Sequence, residues 1–162
     1  MSSRNRWTPY GVLSARSVRS SAGVKSCTWS ILVDKATRRS IDAVLADAQA
    51  RLRRLSPGEA AAALSNGWTL VDTRDGDVIA REGAIPGALR IPLSVLEWRV
   101  DPSSETHSAE LTGREDRLIL ICRDGYSSSL AAVRLHELGF SDTTDVIGGF
   151  GGWVAAGLPV DK

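Results

Sequence analysis

From residue 40 onward the apolar positions follow two alternating rhythms. Ile41, Val44, Leu45, Ala48, Leu52 and Leu55 recur every three or four residues, the spacing of one helical face, and predict a lead-in helix over 39–55. Ser56-Pro57-Gly58-Glu59 supplies a serine N-cap, a proline at the first helical position and a glutamate three residues after the cap. That capping box starts a second helix, which stops near Gly67. Trp68–Asp72 and Arg117–Ile121 are short and almost continuously apolar, as strands are when both faces of a parallel sheet are covered. Briefer strands are predicted around Leu89–Ile91 and Thr144–Ile147, and a helical turn over Asp77–Glu82. Ser94 caps a helix to Val100, with Trp98 in the core or, with Arg99, at the pocket rim, and Asp101 to Asp116 is a polar loop. Ser127 or Ser128 caps a helix that buries Leu130, Val133, Leu135 and Leu138 and ends at Gly139. Gly148-Gly149 leads into a last short helix that ends near Gly157-Leu158-Pro159. Strands alternating with helices imply an α/β domain with a mainly parallel sheet.

Residues 1–38 show no sustained period and read as a disordered basic tail rich in Ser and Arg. All of Arg4, Arg6, Arg16, Arg19 and Lys25 precede Asp34, the first acid. The composition also suits an organellar transit peptide, or translation that starts further down. The rest of the chain is mildly acidic, which argues against a nucleic-acid partner. No apolar run approaches the roughly 18–20 residues that cross a bilayer, so no membrane partner is expected.

The chemistry concentrates at Cys122-Arg123-Asp124-Gly125-Tyr126-Ser127-Ser128. A strand that ends in cysteine, a glycine-bearing turn and a helix start turn several N–H groups toward one point, and the helix adds its positive dipole end. Arg123 adds a formal positive charge. These groups favour thiolate over thiol. The other cysteine, Cys27, lies in the tail, so a structural disulfide is not expected, and a lone reactive thiol points to a reducing compartment, the cytoplasm. His107 and His136 are not placed as an obvious base, and two histidines with one loop cysteine make no metal cluster of familiar spacing. No metal or cofactor is expected. A thiolate held by backbone dipoles needs no base when the incoming group brings no proton to remove.

Asp72-Thr73-Arg74, Gly83-Ala84-Ile85-Pro86-Gly87-Ala88, the strand ending in Cys122-Arg123-Asp124-Gly125, Gly148-Gly149 with Trp153, and Gly157-Leu158-Pro159 occur in the order of a single-domain rhodanese, which this chain resembles over residues 56–160. The resemblance implies a five-stranded, mainly parallel sheet flanked by helices, and a sulfurtransferase. In such enzymes the cysteine takes sulfane sulfur from a donor such as thiosulfate and passes it as a persulfide to cyanide, another thiol or an acceptor protein. It assigns Cys122 as nucleophile and carrier. Arg123, Asp124, Gly125, Tyr126, Ser127 and Ser128 become the cradle that binds the donor. Arg74 either lines the pocket or forms an ion pair with Asp72, a structural support together with Gly148 and Gly149.

Many members carry Arg where this chain has Ser127, and its loss removes a bidentate anion contact. A cysteine phosphatase or arsenate reductase would need an arginine where Ser128 stands, to hold a phosphate dianion. A carrier or regulatory binding module with little turnover is the remaining alternative.

Overall fold

The structure, a computed structural model, describes residues 38–162. The expectations for Cys27 and the tail lie outside the described residues. Helix α1 (Ile41–Ala50) begins at Ser40, whose hydroxyl accepts from the Ala43 N–H at 3.1 Å. It stops at Ala50, not at Leu55. The chain turns extended instead. The Leu55 N–H donates to the Asp145 carbonyl at 3.0 Å, and the Leu55 carbonyl accepts from Ile147 at 2.8 Å. Leu55 thus makes a one-residue parallel bridge to Val146. A single extended apolar residue leaves the same mark in a sequence as one more helical position, which is why the helix was expected to run on.

Helix α2 (Pro57–Leu64) forms the capping box: Ser56 Oγ accepts from Glu59 N–H at 3.3 Å, and Glu59 Oε2 accepts from Ser56 N–H at 2.8 Å. Strand β1 (Thr69–Asp72), helix α3 (Gly76–Glu82), strand β2 (Leu89–Arg90), helix α4 (Leu96–Val100), strand β3 (Leu118–Ile121), helix α5 (Ser127–Glu137), strand β4 (Thr144–Asp145) and helix α6 (Gly149–Ala155) follow. The four strands are all parallel, in the order β2-β1-β3-β4. The sheet has four strands rather than the five that the resemblance implies, with the Leu55 bridge beside β4 as the only further pairing on that side among the described residues.

Both faces of the sheet are covered. Val71, Leu118 and Leu120 point to one side and pack with Ala48, Leu96, Val100, Ala131 and Leu135 of the helices α1, α4 and α5. Leu70, Ile119 and Ile121 point to the other and pack with Ala60 of α2 and Phe150 and Trp153 of α6. This alternation within uninterrupted apolar strands is the signature of a sheet between two helical layers.

Several local expectations change. Ser94 caps nothing; a 3-10 turn at Leu93–Val95 precedes α4. Trp98 is 60% exposed rather than in the core, and Leu138 is likewise exposed. The polar stretch after Asp101 contains a 3-10 turn, Ala109–Leu111, that seats a fully buried Leu111 in the core. One apolar residue among polar ones carries no period by which to predict that.

Candidate functional site

The central pair β1 and β3 connects outward in opposite directions, β1 to β2 and β3 to β4. Their C-terminal ends therefore open a crevice where the strand order reverses, the usual ligand position in a parallel sheet. Cys122 follows the last residue of β3 there. Thr73, after β1, ties the two strand ends together: its N–H and its hydroxyl both donate to the Ile121 carbonyl, at 2.8 and 3.0 Å.

The Cys122 side of the loop is built from donors. Gly125 N–H donates to Sγ at 3.2 Å, and Ser128 Oγ lies 3.2 Å from Sγ. No carbonyl accepts from the N–H groups of Asp124, Tyr126, Ser127 or Ser128 among the described residues. The loop's carbonyls turn the other way: those of Cys122 and Arg123 accept from Phe150 and Gly151 of α6, at 2.8 and 3.0 Å. Gly149 makes this approach possible. A Cβ there would fall 2.5 Å from the Cys122 oxygen and 2.6 Å from the Gly125 nitrogen, at a φ of +56°. Gly125 itself turns at φ +76° against the backbone of Gly148.

Cys122 is 6% exposed. Burial pushes its pKa up, but hydrogen bonds from the Ser127 and Ser128 hydroxyls and from the N–H groups of Ser128 and Asp124 outweigh it, so the net shift is down from the ordinary thiol value. Of the two roles open to Ser127 and Ser128, hydrogen bonding in the cradle or capping α5, neither serine takes the capping one. The cap position of α5 is Tyr126, whose side chain makes no cap bond, and the Ser128 hydroxyl lies against the sulfur instead. Tyr126 stands exposed beside the loop.

Arg123 and Arg74 are both committed to acids. Arg123 Nε bonds Glu82 Oε1 at 3.1 Å, and its Nη1 lies 3.8 Å from Asp124. The buried Arg74 grips Asp72 through Nε, at 3.0 and 3.1 Å, and through Nη2 at 2.6 Å. Its Nη2 also bonds the Gly83 carbonyl at 3.0 Å, and its guanidinium lies 3.5 Å over the Phe150 ring. Of the two readings of Arg74, the ion pair with Asp72 is the one the geometry holds. It braces the end of β1, while Arg74 Nη1 lies 3.5 Å from Glu82 Oε2 and has no hydrogen-bond partner.

Four participants were not read from the sequence. The Gly125 carbonyl accepts from Arg54 Nη2 at 2.9 Å, Ser129 Oγ at 3.1 Å and Gln49 Nε2 at 3.4 Å. The fully buried Asp145 carboxylate accepts from Arg54 Nε at 2.8 Å, Arg54 Nη2 at 3.0 Å, Ser128 Oγ at 3.1 Å and Ser129 Oγ at 2.7 Å. Arg54 was hidden by its assignment to an exposed helical face. Asp145 was hidden inside a strand, although an acid in a buried strand is itself a signal, because an unpaired charge there is costly. Among the described residues no cluster of His, Cys, Asp or Glu is arranged to hold a metal ion, and no helix is long and apolar enough to cross a membrane.

Comparison with known proteins agrees with this geometry. The rhodanese-like domain family matches residues 56–156. The thiosulfate sulfurtransferase GlpE of Haemophilus influenzae is 31% identical over 110 residues, which cover 67% of this chain and 94% of that protein. A mouse thiosulfate sulfurtransferase/rhodanese-like domain-containing protein 3 is 29% identical over 97 residues, covering 57% of this chain and 62% of that protein. The match to the maize adenylyltransferase and sulfurtransferase MOCS3-2 is 40% identical over 63 residues, covering 39% of this chain but only 13% of that protein. Among solved structures, a Rhodopseudomonas palustris protein of unknown function, described as a possible tyrosine phosphatase, superposes with a TM-score of 0.70 at 30% identity, covering 76% of this chain and 95% of that one. The human single-domain sulfurtransferase TSTD1 superposes with a TM-score of 0.53 at 26% identity, over 63% of this chain and 95% of that one. With its parallel sheet, its cysteine at the strand-order reversal and a family match over most of the described residues, the chain belongs to the rhodanese-like family.

Proposed function

We propose that this protein is a sulfurtransferase that carries sulfane sulfur on Cys122 as a persulfide. The observation that carries the reading is the set of N–H groups in the loop after Cys122: that of Gly125 donates to Sγ, and those of Asp124, Tyr126, Ser127 and Ser128 are claimed by no carbonyl among the described residues. Such an array holds an anion that sits one bond beyond the sulfur without a counter-charge. In the first half-reaction the Cys122 thiolate attacks the outer sulfur of a donor R–S⁻. The bond from that sulfur to R breaks, and R leaves with the electron pair: as sulfite from thiosulfate, or as a thiolate from a persulfide donor. In the second, an acceptor thiolate or cyanide attacks the outer sulfur and Cys122 leaves as thiolate. Neither step moves a proton, which suits a site where no histidine touches the sulfur: His136 Nε2 bonds the Thr143 carbonyl, and His107 faces Glu115. The relatives named thiosulfate sulfurtransferases support the same chemistry. The maize relative, which joins an adenylyltransferase to a sulfurtransferase, supports an acceptor protein as a further partner. A reduced Cys122 fits the cytoplasm.

The phosphatase reading is disfavoured by the position where a phosphate-binding arginine is needed. Ser128 stands there, backed at 3.1 Å by the Asp145 carboxylate, so a dianion would meet an acid-backed hydroxyl rather than a guanidinium.

Intact-mass measurement after incubation with thiosulfate or an organic persulfide tests the proposal. The wild type gains one sulfur atom and Cys122→Ser gains none. If the wild type takes up no sulfur from either donor, the reading fails.

A further inference from the structure

The Cys122 thiol, the Ser128 hydroxyl, the Asp145 carboxylate and the Arg54 guanidinium form one continuous hydrogen-bonded chain from the reactive sulfur through β4 to the segment between α1 and α2. We propose that the Arg54–Asp145 pair is a positioning element that controls the ionisation of Cys122 through the single proton of Ser128. The proposal rests on the reading of Cys122 as the reacting sulfur.

Ser128 is fully buried and lies between two acceptors, Sγ at 3.2 Å and Asp145 Oδ2 at 3.1 Å, with one proton to give. While Cys122 is a thiol, S–H donates to Ser128 Oγ and Ser128 donates to Asp145. When Cys122 loses its proton to solvent, nothing on sulfur can donate, and the Ser128 hydroxyl must turn its proton to the thiolate. Asp145 then gives up one of its four hydrogen bonds and keeps those from Arg54 and Ser129. Two opposed charges therefore act on the sulfur from behind. The carboxylate competes for the Ser128 proton and repels a thiolate. The guanidinium compensates that charge and also fixes the cradle, because its Nη2 holds the Gly125 carbonyl.

The remaining charges around the loop are already paired. Arg123 is bound to Glu82 of α3 and lies near Asp124, and Arg74 is bound to Asp72 at the end of β1. α6, packed against the back of the loop, carries no titratable side chain. α1 presents the uncharged Gln49 to Gly125. Arg54 and Asp145 are thus the only ion pair, among the described residues, hydrogen-bonded to a group that touches the sulfur.

The test is the pH dependence of iodoacetamide alkylation, read at the Cys122-containing peptide so that Cys27 does not interfere. Asp145→Asn should lower the alkylation midpoint and Arg54→Gln should raise it, each by on the order of 0.5–1 pH unit. The double variant, which leaves no uncompensated charge, should return close to the wild type. Ser128→Ala should raise the midpoint, and on that background Asp145→Asn should shift it less. A merely structural pair would move both single variants the same way. Shifts of one sign, no shifts, or an Asp145→Asn effect undiminished by Ser128→Ala would overturn the proposal. Should Arg54→Gln fail to fold, the Asp145→Asn and Ser128→Ala pair decides alone. Sulfur uptake by mass on the same samples separates the two readings: opposed alkylation shifts without sulfur uptake would leave the coupling standing and remove the sulfur transfer.

Discussion

At the scale of single residues, the lowered pKa of Cys122 has a thermodynamic consequence. A group whose folded pKa lies below its unfolded value stabilises the fold in full above the unfolded pKa, near 8.5 for a free thiol. That contribution is lost as pH falls through the lower, folded pKa. Urea unfolding of wild type and Cys122→Ser should therefore diverge as pH rises toward about 8.5–9 and run parallel below the folded pKa. A constant difference across that range would mean that the thiolate gains nothing from its loop. The sequence showed Cys122 because strand, glycine turn and helix start are local features. It did not show Arg54 or Asp145, which meet across 91 residues of separation in the chain. It left open whether Ser127 and Ser128 bond within the cradle or cap the helix, because a serine before a helix satisfies both patterns; the Ser128 hydroxyl lies against the sulfur.

At the scale of elements, the loop and α6 act as one unit, because the α6 N–H groups bind the loop's carbonyls. Gly149→Ala sets a Cβ against backbone atoms of Cys122, Arg123 and Gly125 that cannot move aside cheaply. It should cost on the order of 2–4 kcal/mol in a denaturant melt and slow sulfur loading as the loop shifts. Gly151→Ala is the internal control. Its Cβ would meet nothing nearer than the Arg123 oxygen at 3.6 Å, an ordinary contact. It should be neutral or stabilise by up to about 1 kcal/mol, since alanine is the better helix former. Equal effects in the two variants would show that the close approach of the backbones at Gly149 does not set the cost. The order of the elements was legible from periodicity and caps, with the Ser56–Glu59 box the clearest case. The boundaries were not: α1 ends early because Leu55 pairs with β4, a choice made by a strand far along the chain.

At the scale of the whole molecule, β3 holds the two halves of the core together. Leu118 and Leu120 enter one cluster, Ile119 and Ile121 the other, and all four are fully buried. Leu120→Ala removes packing that the sheet and the helical layer cannot close over. It should cost about 2–5 kcal/mol, a large share of the 5–15 kcal/mol of a typical domain, seen as a lower denaturation midpoint. A loss well under 1 kcal/mol would mean that the core relaxes around the gap.

The short outer strands bear on behaviour at high concentration. A sheet invites another chain wherever it offers a long row of unpaired N–H and C=O groups. Here β2 spans two residues, and the outer side of β4 is occupied by Leu55, whose N–H and carbonyl take the partners that a visiting strand would need. The single bridge that stands in for a fifth strand thus works as an end-stop against fibrous growth, and leaves only a stub of edge at either side of the sheet for edge-to-edge aggregation.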